Sequence, residues 1–310
     1  MAKSMRKTLL LAKLQTQVGQ DALPTASANA ILLRNVTATP ISMEMAERTL
    51  LRPYLSNSGQ IPTAYYAQIE GEIELAGSGT EGTPPAWGPL LQACGFAETI
   101  EEDVSVTYSP VSDDMKALTL YYYLDGLFHK IMDARGTVSF DITAKGIPFM
   151  RYRFMGAYSP ITDGANPSNV DYAAFMKPLG VNKANTPTWA LGAYTGCLQQ
   201  LTFDVANQLV WRSLISCEGA EITERQPTGN ILLELPRIAQ LNWPQMVLDA
   251  QEQAVSVTHG KVAGNIIDVR LPKAQLTSPA YSDQDGIAML GLNLNVNPDQ
   301  GNDEIEIVVR

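Results

Sequence analysis

Few residues in this sequence have the types and spacing that chemistry demands. It holds two histidines, His129 between Phe128 and Lys130 and His259 just before Gly260. Neither lies near a serine or cysteine nucleophile in sequence, and no His/Glu spacing suggests a metal, so structural roles are expected for both. Glu70, Glu72 and Glu74 recur at every second residue, on one face of a strand, and could imitate a glycosidase pair. A solvated strand face produces the same pattern far more often. Gly77-Ser78-Gly79 and Gly82 lack the Lys-Ser/Thr of a phosphate-binding loop and do not run straight into a helix. Asp283-Gln284-Asp285-Gly286 begins like a calcium loop but lacks its closing acid, and reads as a turn. Cys94, Cys197 and Cys217 are too few and scattered for a disulfide framework or a zinc site, and are expected to be buried free thiols. No catalytic set, cofactor or metal site is expected.

The elements around these residues are better defined. Val138, Phe140 and Ile142 alternate with Thr137, Ser139, Asp141 and Thr143, the period of a half-buried strand. Lys145-Gly146 turns the chain, and Ile147 to Ala157 returns with Phe149, Tyr152, Phe154 and Met155. A similar hairpin recurs at Lys273 to Val296, with Gly286-Ile287 where the first has Gly146-Ile147. Upstream of the first hairpin come a strand at Ile31 to Thr39, a connection at Ile41 to Ile61, and an alternating strand at Tyr65 to Leu75. A short helix from Trp87 to Phe96, closed by Gly95, and a type I′ turn at Asp125-Gly126 follow. Upstream of the second come Cys197 to Val205, a connection at Gln208 to Gln226, Asn230 to Leu235, and a helix from Trp243 to Ala250. Val36/Phe203, Trp87/Trp243 and Phe149/Met289 are read as counterparts of an internal duplication; shared β-sandwich habit is the competing explanation.

Residues 1–30 have no clear period and read as an N-terminal arm. The Leu9 to Leu14 cluster is expected either to dock on a neighbour or to form a short helix on its own domain. Residues 31–158 and 197–310 form the two modules, with 159–196 as the linker. Its Tyr172, Phe175, Trp189 and Tyr194 are expected to lay that segment against the protein surface. The fold class is therefore mainly β, two tandem antiparallel β-sandwich or barrel modules, each with one short flanking helix.

Composition narrows the function. Only 17% of the 310 residues are charged, so much of the surface is uncharged and suited to broad contacts with other proteins. A net charge of −10 argues against gripping nucleic acid by its phosphates. It leaves open a surface that DNA slides past. The apolar run at Leu9–Leu11 is too short for a signal-peptide core, and no run is long enough for a membrane span, so a soluble protein made in the cytoplasm is expected.

The order of strand, long connection, strand, single helix and closing hairpin resembles the tail-tube fold of long-tailed bacteriophages. The residues that carry the likeness are Trp87 to Phe96, Asp125-Gly126, ARGTVSF…GIPFMRYRFMG and their counterparts Trp243 to Ala250 and Lys273 to Val296. Lys7 to Arg310 is similar to siphophage major tail proteins. That resemblance implies a structural subunit of the virion, not an enzyme, polymerising with itself as stacked rings. It implies a tape-measure protein in the lumen, tail terminator and distal tail proteins as partners, and double-stranded DNA in transit without tight binding. Two modules per chain imply trimeric, pseudo-sixfold rings. Six four-stranded sheets would close a barrel of about 24 strands, with a backbone diameter near ~48 Å at ~4.8 Å strand spacing and ~40° tilt. Glu70, Glu72, Glu74, Asp141 and Asp283 are candidate lumen-facing acids that would repel phosphates. Glu44, Glu47, Arg48, Arg52, Arg212, Glu221 and Glu224, on the two long connections, are candidate contacts between subunits or rings. A distal-tail or baseplate ring protein of the same fold and a carbohydrate-binding β-sandwich module are the alternatives, with a hydrolase third.

Overall fold

The computed structural model describes residues 2–310, and the chain is mainly β with two short helices. The first part of the chain holds β1 (Thr8–Leu14), β2 (Ala30–Ile31), β3 (Arg34–Glu47), β4 (Gln60–Glu74), α1 (Gly88–Gln92), β5 (Phe96–Glu101), β6 (Ser105–Pro110), β7 (Leu118–Leu124), β8 (Leu127–Thr143) and β9 (Phe149–Tyr158). Two short strands follow, β10 (Thr162–Asp163) and β11 (Thr188–Leu191). The second part holds β12 (Leu198–Asp204), β13 (Asn207–Leu214), β14 (Cys217–Arg225), β15 (Thr228–Glu234), α2 (Trp243–Leu248), β16 (Glu252–His259), β17 (Ile267–Gln284), β18 (Ile287–Asn297) and β19 (Glu306–Val309).

Strands β3, β4, β9 and β8 pair in that order, and so do β12, β15, β18 and β17. The two sets join edge to edge, because Ser139–Thr143 of β8 pairs antiparallel with Gln200–Asp204 of β12. The result is one continuous sheet of eight alternately directed strands. Its buried face is fixed by alternation: Ile73, Met150, Phe140, Phe203, Gly229, Leu294 and Leu276 form a single cross-strand row. Phe140 and Phe203 stack across the joint with centroids 4.4 Å apart and planes 9° off parallel. Gly229 leaves room there, since a Cβ would stand 2.8 Å from the Thr202 carbonyl oxygen and 3.3 Å from Phe203.

Other strands cover this face. β1 pairs with β2 and β7, and β7 with the start of β8. β11, β16, β17, β19, β6 and β5 form a second antiparallel run. The last strand of the chain thus pairs with β6 from the first half. Both helices begin at a tryptophan followed closely by proline. Trp87 is fully buried and donates from Nε1 to the Ala76 carbonyl at 2.8 Å, while α2 carries no buried residue.

Several expectations change. The Leu9 to Leu14 cluster is neither a docking arm nor a helix but a strand inside its own fold. Leu10 and Ala12 face the main core, and Leu9 and Leu11 face a smaller one with Tyr121, Tyr123, Val170 and Tyr172. A strand buried on both faces shows no alternation, which is why the sequence pattern was blank there. The connection at Gln208–Gln226 is mostly strand, β13 and β14 forming a hairpin of their own, and at Ile41–Ile61 the ends of β3 and β4 extend as a long arm around a loop at 48–59. Phe203 lies level with Ala38, not Val36, because register shifts interrupt β3. Phe149 pairs with Glu74 and Met289 with Glu234, and it is setting these two pairs level that puts Phe203 beside Ala38. Cys94 is buried, but Cys197 and Cys217 are exposed. Asp125-Gly126 turns with positive φ at both residues, and Tyr172, Phe175, Trp189 and Tyr194 pack onto the cores.

Candidate assembly surfaces

The opposite face of the eight-stranded sheet is polar across its width. One row runs Arg34, Glu72, Arg151, Ser139, Asp204, Thr228, Asn295 and Gln275, a polar residue from every strand. The next runs Glu74, Phe149, Asp141, Thr202, Asn230, Asn293 and Thr277. Nothing in local strand chemistry demands eight polar positions in register; a broad surface kept wet does.

Four of the five candidate acids come together on this face. Glu70, Glu72 and Glu74 stand opposite Arg153, Arg151 and Phe149, and Asp141 opposite Phe149. Asp283 does not join them. Asp141 pairs with Phe149 and Ser282 with Met289, so the second turn is one residue shorter and Asp283 falls on the other face. Glu72 is only 5% exposed. It accepts from Arg151 Nη2 at 2.6 Å and Asn35 Nδ2 at 2.7 Å and pairs with Arg34 at 3.0 Å. Burial pushes its carboxyl up, but the hydrogen bonds from Arg151 and Asn35 and the charges of Arg151 and Arg34 outweigh that and hold it below its ordinary value. Arg34 also lies 4.4 Å over the Phe149 ring.

Arg151 and Arg153 also stand on this face, and their alternation with Met150 and Tyr152 is the sequence signal for it. The amide row Asn293, Asn295 and Asn297 was equally legible, alternating with Leu292, Leu294 and Val296. The half of the face built from β12, β15, β18 and β17 is thus mainly amide and hydroxyl, and the charges gather in the half built from β3, β4, β9 and β8.

The candidate contact residues separate into two groups. Glu44, Glu47, Arg48 and Arg52 are exposed along the β3–β4 arm. The arm and its tip also expose apolar side chains, among them Met43, Met45, Tyr65, Leu55 and a wholly uncovered Leu51. Arg212, Glu221 and Glu224 lie on the β13–β14 hairpin, which folds back over β8 and β9. There Trp211 is buried and stacks on Tyr66 at 5.7 Å, packed with Ala64, Met155 and Ala220. Arg135 donates to the Ala220 carbonyl at 2.8 Å and pairs with Glu221, so Glu221 is engaged within the chain, whereas Arg212 and Glu224 are exposed. Asn207, at the root of the hairpin, donates from Nδ2 to the carbonyls of Cys94 at 2.7 Å and Gly136 at 3.0 Å. No sequence motif marks it; only the meeting of the two halves gives it partners.

The remaining titratable groups serve structure. His259 donates from Nε2 to the Leu179 carbonyl at 3.1 Å and accepts from the Thr186 hydroxyl at 2.9 Å. Burial pushes its basicity down, partly offset by the Leu179 bond, and burial lowers His129 as well. Among the described residues no three His, Cys, Asp or Glu side chains are grouped to hold a metal, and no helix is long and apolar enough to cross a membrane.

A broad polar sheet face, strand edges at both of its ends and an apolar arm are features of a part that assembles. Comparison with known proteins agrees: residues 5–298 match the family described as phage tail tube protein. No curated protein matches the chain. The chain belongs to the phage tail tube protein family, and its role is that of a structural subunit of the virion tail.

Proposed function

We propose that three copies of this chain close into a pseudo-sixfold ring, and that stacked rings form a tube whose polar lumen conducts DNA during ejection. The observation that carries the reading is the eight-stranded sheet, polar on one face and apolar on the other, built from two four-stranded sets of the same order. Three such sheets supply the 24 strands of a barrel wide enough for duplex DNA. Eight is even, so β3 and β17 at the two ends run in opposite directions, and ring closure is antiparallel like every other pairing. Closure also removes the two free edges. The repeated order favours internal duplication of one module, with 31–158 and 197–310 as copies that share strand pairing rather than as independent bodies.

The lumen assignment goes to Glu70, Glu74 and Asp141 together with the row Thr202, Asn230, Asn293 and Thr277; Glu72 serves mainly to anchor Arg34 and Arg151. Uncharged amides offer phosphates no counter-charge to grip, and Glu70 with the half-buried Glu74 and Asp141 repels them, offsetting the attraction of Arg151 and Arg153. Glu44, Glu47, Arg48, Arg52, Arg212 and Glu224 are proposed contact groups between subunits and rings. The siphovirus setting, synthesis in the host cytoplasm, and the tape-measure, terminator and distal tail partners follow from the same reading.

Negative-stain microscopy of purified protein tests it. Long tubes with a central channel are expected. Isolated rings would favour a distal-tail or baseplate role, and stable monomers that bind glycans would favour a carbohydrate-binding module. Deleting residues 44 to 59 should leave soluble rings or monomers, and normal tubes from that variant would refute the contact role.

A further inference from the structure

We infer that the joint between the two halves of one chain is the template for the joint between chains, and that the β3–β4 arm of one subunit seats in a cleft of its neighbour's second half within the same ring. The inference rests on the ring reading above and gives it a register and a binding site.

The two four-stranded sets superpose through their registers. Phe149 and Met289 mark the same level, which makes Ser282, Tyr281 and Ala280 the counterparts of Asp141, Phe140 and Ser139. In the same way Thr37, Ala38 and Thr39 are the counterparts of Thr202, Phe203 and Asp204. Inside the chain Thr202 pairs with Asp141, Phe203 with Phe140 and Asp204 with Ser139. Between chains the same joint sets Thr37 of one copy opposite Ser282 of the next, Ala38 opposite Tyr281, and Thr39 opposite Ala280. The required edges are free: among the described residues β3 pairs only with β4, and β17 beyond Gln275 pairs only with β18. Pro40 and Pro279 fall opposite each other just past Thr39 and Ala280, limiting the seam to a short run such as the five pairs of the internal joint. Tyr281 is 67% exposed although its counterpart Phe140 is 1% exposed under Phe203. An aromatic ring left open where its twin is covered marks where a second copy belongs.

The arm obeys the same logic. Inside the chain, the β13–β14 hairpin that continues from β12 covers Tyr66, Met155 and Ala157. Their counterparts in the second half are Gln226, Asn295 and Asn297, and these line an open cleft of about 690 Å³ of mixed character, with Met115, Ile222 and Val296 beside Glu224 and Arg225. The element that continues from β3 is the arm, with Met43, Met45 and Tyr65 exposed. One joint has its hairpin seated; the other has a cleft and an apolar hairpin some distance apart on one chain, which two copies bring together.

Two cross-links test this in a Cys197→Ser, Cys217→Ser background, which leaves only the buried Cys94. Directly opposed residues in antiparallel strands place Cα atoms about 4.5–5.5 Å apart, inside the range a disulfide spans. Thr37→Cys with Ser282→Cys should give covalent trimers on mild oxidation, seen on non-reducing gels, at least ~10-fold more than Thr37→Cys with Asp283→Cys. A benzophenone amino acid at Gln226 should capture residues 41–65 of a second chain in isolated rings, mapped by mass spectrometry. Tubes that form while the shifted pair links better, or while the cleft probe captures another segment or nothing, overturn the inference and leave the tube reading standing. If the unmodified chain forms neither rings nor tubes, both fall.

Discussion

Asn207 offers the sharpest test of how the two halves are held. Its side chain is 3% exposed, and its Nδ2 donates to two main-chain carbonyls of the other half, Cys94 at the end of the α1 turn and Gly136 within β8. Asn207→Ala removes both donors and leaves the buried acceptors without this partner. Each unsatisfied buried group costs about 1–3 kcal/mol, so the pair should cost roughly 2–4 kcal/mol after partial relaxation. That corresponds to a fall in melting temperature of about 3–6 °C for a chain this large. Urea unfolding followed by circular dichroism is the assay, with the slope unchanged and the midpoint lowered. Asn242→Ala is the control, since it removes one exposed 3.4 Å capping bond from α2 and should cost about 0.5–1 kcal/mol. If Asn207→Ala costs less than Asn242→Ala, the two halves are held by strand pairing and the Phe140–Phe203 stack alone, and the role given to Asn207 is wrong.

Other expectations are equally direct. His259 and His129 are both held neutral by burial, so the unfolded chain takes up their protons first as pH falls through about 6.5. Stability should therefore rise with pH in the window just below that value and be lost as pH drops through it. A melting temperature flat from pH 5 to 7.5 would contradict the buried neutral assignment. Glu72→Gln leaves Arg34 and Arg151 without their shared carboxylate; because Arg151 is well exposed and Arg34 only partly buried, about 1–2 kcal/mol should be lost in urea unfolding. The low-pH loss of stability that the depressed Glu72 carboxyl contributes, below about 4.5, should also shrink in this variant. Gly229→Val forces a side chain against the Thr202 carbonyl and Phe203 and should cost about 1–3 kcal/mol by overpacking, whereas Gly219→Val, with open space around it, should cost little. Reversing Glu70, Glu74 and Asp141 together to lysine should slow DNA release in an ejection assay; unchanged ejection with no gain in DNA binding would exclude these acids from the lumen.

Half-buried strands, turns and the two helices were legible in the local order of residues. Alternation such as Val138, Phe140, Ile142 against Ser139 and Asp141 is a local consequence of strand geometry, and Asp125-Gly126 or Trp87-Gly88-Pro89 carry their conformations in a few residues. The repeated order of elements was legible for the same reason. Features without a local signal came from long-range pairing and packing. The Leu9 to Leu14 strand is buried on both faces, so no alternation announced it. The β3–β4 arm and the β13–β14 hairpin are strands whose polar and apolar residues answer to distant surfaces, so they read as loops. Asp283 changed face because one turn is a residue shorter than its twin, a difference that only strand register exposes. Asn207 became a joint residue because folding carried it from one half of the chain to carbonyls of the other. Pairing partners, unlike alternation, are set by residues far away in the chain, and that is why the continuous polar face emerged only with the fold.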